Sequence, residues 1–230
     1  MKFLIILVIL VAWFIYTRVN VMKKTLYIND ITQEPKYFLD HTSYLAKGVL
    51  TPTLCETLIK ESRNLVYDIT LEPVDDEPVY QVNILEGTSV MHEKLWNLCK
   101  GVYYKYKDNH SSSDFMFLKR YLPDERVRIP LHYDNSEYTI SFLLSDTKDF
   151  EGCEYYMFDK LTSDAIVLTG LTTCEAKVRD DFIDNYKNLP IMDYQQGDMV
   201  KFKSETHLHG TLPLTKGERY VLTVFYDQRN

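Results

Sequence analysis

From Phe115 onward the chain is cut into short runs rich in aromatic and β-branched residues, bounded by Gly, Pro, Asn and Asp. The runs cover 115–121, 138–144, 155–158, 199–202, 206–209 and 219–226. Each reads as a strand, and many short strands with turn signals between them close into a sandwich or barrel. The 230 residues are 45% hydrophobic and 13% aromatic, enough for one domain with a sizeable core. Upstream, Thr51 is a helix cap followed by Pro52 at the first helical position. That helix is predicted to run to about residue 64, with Leu54, Leu58 and Ile59 on one face. A strand is expected over 79–85. A second helix is expected over 90–107, with Leu95, Leu98, Cys99, Val102 and Tyr106 at helical spacing. The fold class is therefore mainly β with flanking helices.

Chemistry concentrates in two places. His132-Tyr133-Asp134 precedes the run 138–144, and on an extended chain residues i and i+2 share a face. A second histidine lies far downstream in His207-Leu208-His209-Gly210. Two imidazoles and a carboxylate suit iron(II), and three protein ligands leave positions open for substrate and O2. The bland reading is a core histidine and a turn aspartate. His207 and His209, two residues apart on one strand face, compete to be the third ligand. Arg219 opens an otherwise apolar run, where an unpaired guanidinium is costly and a bound carboxylate would satisfy it as a two-pronged fork.

The runs Arg120-Tyr121-Leu122-Pro123-Asp124-Glu125, His132-x-Asp134, Tyr138-Thr139-Ile140 and Glu151-Gly152 resemble the 2-oxoglutarate/iron(II) dioxygenases. So does the closing stretch from His209 through Pro213 and Gly217 to Arg219-Tyr220. Within that superfamily the catalytic domain of the procollagen lysyl hydroxylases is most similar, and the prolyl 4-hydroxylase α-subunit type is second. The resemblance is specific over 115–228 and thinner over 45–114. It implies a double-stranded β-helix, or jelly-roll, core. It implies His132, Asp134 and His209 as iron ligands, since Pro213 and Arg219 stand in family register to His209. His207 would then orient a ligand from outside. Arg219 would take the far carboxylate of 2-oxoglutarate. Tyr121 and Thr139 stand where the family places hydroxyls near the cosubstrate, although ordinary strand packing also accounts for both. The implied cofactors are Fe(II), 2-oxoglutarate and O2, with L-ascorbate as reductant. The implied activity is hydroxylation of a peptidyl side chain, lysine first and proline as the alternative, on a collagen-like peptide. The reading from another class is a catalytically silent, membrane-tethered jelly-roll that binds a partner. The acidic run Asp75-Asp76-Glu77 would read a substrate ammonium or be a solvated loop.

A net charge of −7 provides no basic footprint for nucleic acid. Cys55, Cys99, Cys153 and Cys174 have no zinc spacing, and no disulfide pattern follows from them. Residues 3–16 contain no polar side chain and are flanked by Lys2 and Arg18. Segment 1–22 is therefore expected to be a signal anchor that spans a membrane, with a cleaved signal peptide as the alternative. Residues 23–48 follow as a stalk or first strand, and 49–230 as the dioxygenase domain. With the sequon Asn109-His110-Ser111, this points to a single-pass protein whose domain faces a secretory lumen of the endoplasmic reticulum type. The stretch 161–193 departs from the family pattern as an insertion. Val178, Phe182 and Tyr186 have helical spacing within it, so it is expected to form an amphipathic lid that sets substrate choice, or else to be decoration.

Overall fold

The computed structural model describes residues 36–40, 42–107 and 113–227. The expected anchor over 1–22 and the sequon at Asn109 lie outside the described residues. Among the described residues no helix is long and apolar enough to cross a membrane.

In chain order the strands are β1 (Lys36–Asp40), β2 (Ser43–Ala46), β3 (Asp68–Leu71), β4 (Pro78–Glu86), β5 (Ser89–Val90), β6 (Phe115–Tyr121) and β7 (Tyr138–Leu143). There follow β8 (Phe150–Gly152), β9 (Tyr155–Met157), β10 (Met199–Lys203), β11 (His209–Thr211), β12 (Leu214–Gly217) and β13 (Arg219–Tyr226). One antiparallel sheet has the order β1-β2-β10-β7-β13-β6-β4-β3, with β5 also on β4. The stretch 36–46, at the end of the expected stalk, is thus part of this sheet. A smaller layer faces it. There β11 pairs with β9 and β12 with β8. The segment 127–132 runs along their other side, where Ile129 O accepts from Thr211 N at 3.0 Å and Val127 O from Leu214 N at 2.9 Å. Two opposed antiparallel layers reached by long crossovers have the form of a jelly-roll.

Period-two alternation divides the main sheet into two functions. Ile140, Phe142, Leu118, Leu222 and Val224 face α1 (Pro52–Ser62) and α2 (Glu93–Tyr106) and bury against Leu54, Leu58, Leu95 and Cys99. Thr51 caps α1 by accepting from Leu54 N at 3.2 Å. Helix α2 starts later than the sequence predicts, because Ser89 and Val90 pair with β4. The alternate residues, including Tyr121, Thr139, Ser141, Arg219 and Val221, face the smaller layer and the space between. All four cysteines are free thiols, with Cys174 alone exposed.

The insertion folds as α3 (Lys160–Leu168) and α4 (Ala176–Asn185). Helix α4 confirms the helical periodicity, but its buried face is Arg179 and Ile183, with Val178 45% exposed. Ile166 and Ile183, flanked by Phe182 and Tyr186, pack on Leu131, Tyr156, Phe158 and Leu208 of the smaller layer. Leu131 and Leu208 each directly precede a histidine of the site. The segment therefore supports the core rather than hanging over it as a lid. Large-to-small changes at such positions cost about 2–5 kcal/mol each, against a domain stability of about 5–15 kcal/mol. Replacing 163–190 with a Gly/Ser linker is expected to abolish the cooperative melting transition seen by circular dichroism.

Candidate metal centre and active site

His132 and His209 oppose each other across an antiparallel bridge. They exchange both backbone hydrogen bonds, His132 N to His209 O at 3.0 Å and His209 N to His132 O at 3.1 Å. Directly opposed residues present their side chains on one face, and the two imidazole centroids lie 4.3 Å apart. Gly210 permits this approach, since a Cβ there would stand 2.3 Å from the Tyr156 hydroxyl oxygen and 2.9 Å from Ile129 O. Each ring donates its Nδ1–H to the carbonyl two residues upstream, His132 to Pro130 O at 2.7 Å and His209 to His207 O at 3.0 Å. A carbonyl can only accept, so this fixes the tautomer and leaves each Nε2 lone pair free for a cation.

Asp134 stands just beyond the bridge and completes the group. Its Oδ1 lies 3.3 Å from His132 Nε2 and its Oδ2 3.5 Å from His209 Nε2. Burial pushes the Asp134 carboxyl up, but His209 and His132 outweigh it and hold it well below the usual carboxylate range. The ligand atoms all lie within 4.8 Å of one another. An octahedral ion at bond lengths near 2.1 Å needs neighbouring ligands about 3 Å apart, so the group fits with small adjustments.

Thr139 lines the same cavity as Arg219 and Tyr121, and its hydroxyl is tied to the metal group. Its Oγ1 donates to Asp134 Oδ2 at 2.6 Å and lies 2.9 Å from Ser204 Oγ, which in turn is 2.7 Å from Ser136 Oγ. The hydroxyl orients the carboxylate. Thr139→Val is expected to lower iron(II) affinity about 10- to 100-fold, measured by metal titration, because removing a ligand's hydrogen-bond partner typically costs that much. His207 parts from its expected strand. A 3-10 turn at Ser204–Thr206 precedes it. Its Nδ1 is 2.9 Å from Thr206 Oγ1 and 3.2 Å from Lys203 O, while its backbone carbonyl holds His209.

Arg219 pairs in register with Tyr121 across β13 and β6, and its guanidinium carbon lies 5.2 Å from the Tyr121 ring centroid. It is 2% exposed, and its Nε has no hydrogen-bond partner. Among the described residues no carboxylate pairs with it. A buried cation without a counter-charge is costly, and the shape of its donors calls for a carboxylate from a ligand. Arg219, Tyr121 and the three-residue group line one cavity of about 370 Å³ between the two layers.

Two lining residues have no counterpart in the sequence reading. Glu72 and Lys119 form an ion pair at 2.7 Å on the cavity wall. Burial pushes the Glu72 carboxyl up, but Lys119 outweighs it and holds it below its ordinary value. Asp75 is paired with Arg126 at 2.8 Å, both nearly buried, and so is committed inside the protein. Asp76 and Glu77 are exposed and do not line the cavity.

No protein-family model matches the chain, and no curated protein matches it in sequence. Solved structures do match. One is a prolyl hydroxylase in complex with a hypoxia inducible factor oxygen degradation domain peptide fragment, from Trichoplax adhaerens. It aligns at TM-score 0.54 and 11% identity over 92% of this chain and 93% of that one. Another is an oxidoreductase of the 2OG-Fe(II) oxygenase family from Burkholderia pseudomallei, at TM-score 0.51 and 13% identity over 86% of this chain and 98% of that one. The chain has the fold of the 2-oxoglutarate/iron(II) oxygenases. Within this oxygenase fold, strand pairing places His132 against His209, and strand alternation turns Arg219 and Thr139 toward them. The expected order, lysyl before prolyl, finds no support in either neighbour.

Proposed function

We propose that the chain is an Fe(II)- and 2-oxoglutarate-dependent dioxygenase that hydroxylates a peptidyl side chain. One observation carries this: a tautomer-fixed His132–Asp134–His209 group shares a cavity with a buried guanidinium that has no carboxylate of its own. His132, Asp134 and His209 hold the metal through Nε2, carboxylate oxygen and Nε2. Arg219 holds the far carboxylate of 2-oxoglutarate and so fixes the distance between its two ends. Iron(II) supplies the oxidative chemistry, coupling the conversion of 2-oxoglutarate and O2 into succinate and CO2 to hydroxylation of the substrate. Phe115, Phe117 and Phe225 give the cavity an apolar wall that limits water near the reacting atoms.

The cavity favours an uncharged side chain, so a prolyl substrate is placed before a lysyl one. Apart from Asp134, Glu72 is the only carboxylate among the described residues that lines the cavity, and Lys119 already neutralises it. A lysyl ammonium would enter without an unpaired partner, at a desolvation cost. The Trichoplax neighbour, a prolyl hydroxylase in complex with a peptide, agrees with this order. Iron(II), 2-oxoglutarate and matched proline- and lysine-bearing peptides, collagen-like sequences included, test it by succinate release and peptide mass. Hydroxylated proline with succinate is the expected result. Hydroxylated lysine alone would reverse the order, and no succinate under any condition would leave the silent binding module as the better account.

A further inference from the structure

The loop between β3 and β4 forms one wall of the metal cavity, which Glu72, Pro73 and Val74 all line. Two tethers reach this loop from β6 and the turn after it. Lys119 holds Glu72 at 2.7 Å, and Arg126 holds Asp75 at 2.8 Å. A third tether comes from the insertion. Arg179 of α4 donates through one Nη to Val74 O, across 105 residues of sequence, and through the other to Thr172 O at 3.3 Å. It is the one buried charged side chain of 161–193, at 6% exposure.

The next residue reaches another way. Asp180 pairs with Arg128, in the segment 127–132 that ends at His132. Helix α4 itself is seated through Ile183 on Leu131, Tyr156 and Leu208. Consecutive residues of one helix therefore join the cavity wall to the segment that carries a metal ligand. This arrangement is not the cheapest way to fill the space. A guanidinium taken out of water and given only carbonyl oxygens is costly, and an apolar side chain one turn from Ile183 would pack there without that cost. Among the described residues no carboxylate pairs with Arg179. What the position gains is a fixed place for Val74, whose side chain also packs on the cluster of Tyr121, Ile129 and Tyr155. A displacement of about 1 Å in a positioning group can cost on the order of 100-fold in rate.

We propose that Arg179 is a positioning residue for the substrate: through the Val74 carbonyl it sets where the Glu72–Val74 wall stands relative to His132, and so how a peptidyl side chain is presented to the metal group. This rests on the function proposed above. It gives the insertion a part in substrate selection that is exerted from behind the wall.

The test compares the full chain with three variants. Arg179→Met keeps the length and removes the donors. Arg179→Lys returns a cationic donor. Ile183→Ala damages the same face of α4 and leaves the tether. Amide exchange read by mass spectrometry reports on the loop directly, because Asp75 N and Asp76 N both donate to Glu72 O, at 3.2 and 2.9 Å. Arg179→Met should speed exchange over 72–77 about 10- to 100-fold, the value of one hydrogen bond to a charged group, and Arg179→Lys should recover part of it. Ile183→Ala should speed exchange in α4 and the smaller layer instead. In steady-state turnover by the iron(II)-loaded chain, Arg179→Met should raise the KM for the proline-bearing peptide about 10-fold and leave the KM for 2-oxoglutarate unchanged. Unchanged exchange over 72–77 overturns the proposal. So does equal acceleration throughout the domain, or a KM that rises alike for peptide and 2-oxoglutarate, since either makes Arg179 merely structural. A wild type that hydroxylates no peptide overturns the proposed function, and the exchange measurement, which needs no substrate, still decides the tether.

Discussion

Alanine at His132, Asp134 or His209 is expected to abolish iron(II)-dependent conversion of 2-oxoglutarate to succinate, with the isolated variants losing bound iron. The loss should exceed the roughly 10- to 100-fold that follows removal of a ligand's outer hydrogen-bond partner. Two ligands cannot hold the ion against water, and each of these side chains supplies one of only three. The change should spare the fold. The backbone bonds between His132 and His209 do not involve the rings, and the surrounding layers close through Ile129, Thr211, Val127 and Leu214. Circular dichroism spectra should therefore match the wild type while metal content falls. His207→Ala is the internal control. Its ring is 0% exposed and bonds locally, so its loss should lower the melting temperature and weaken turnover without removing the metal. Turnover surviving in His209→Ala but not in His207→Ala would show that the ligand has been misplaced by two residues.

The metal group was legible because its parts are set by local rules. His132 and Asp134 are two apart in an extended stretch, and Arg219 follows His209 at a spacing the β12–β13 turn preserves. Strand positions were legible wherever aromatic and β-branched residues cluster, as in β6, β7 and β13. The 206–209 strand was misread because β-branched composition says nothing of the 3-10 turn at Ser204–Thr206, which the buried hydroxyls of Ser136, Thr139 and Ser204 hold in place. The contact of Thr139 with Asp134 was not legible for a related reason. Alternation gave its face, but only the fold brings Asp134 within 2.6 Å of its hydroxyl. Long-range ion pairs were invisible altogether. Glu72 meets Lys119, and Asp75 meets Arg126, across separations of 47 and 51 residues. Reading the acidic run alone, one expects free charge where the fold leaves none on the cavity wall. The insertion was read as a lid because helical spacing marks an amphipathic helix without saying which surface it covers. Its apolar side covers the back of the layer that carries the histidines.

Arg219→Lys is expected to raise the KM for 2-oxoglutarate about 10- to 100-fold while the apoprotein still binds iron. A lysine ammonium restores one charge-assisted hydrogen bond of a parallel pair and loses the planar fork, and one such bond is worth about 1.5–3 kcal/mol. The position also punishes the exchange. Arg219 is buried among Tyr121, Tyr155, Tyr194 and Cys153, and among the described residues no carboxylate pairs with it. An ammonium there is more strongly hydrated when exposed and loses more on burial, so it is driven toward its neutral form. The neutral amine would leave the incoming carboxylate with no counter-charge at all. Ligand-induced stabilisation gives a readout that does not depend on turnover. At a concentration 100 times its dissociation constant a ligand adds about 2.7 kcal/mol to the stability of the folded state. The melting-temperature rise caused by 2-oxoglutarate in the iron-loaded wild type should therefore fall by about half or more in Arg219→Lys at the same concentration. A 10-fold weaker constant leaves about 1.4 kcal/mol of that, roughly half, and a 100-fold weaker one about 0.4 kcal/mol. An unchanged KM, or an undiminished thermal shift, would place the far carboxylate somewhere other than Arg219. The buried guanidinium, whose Nε has no partner, would then need a different ligand.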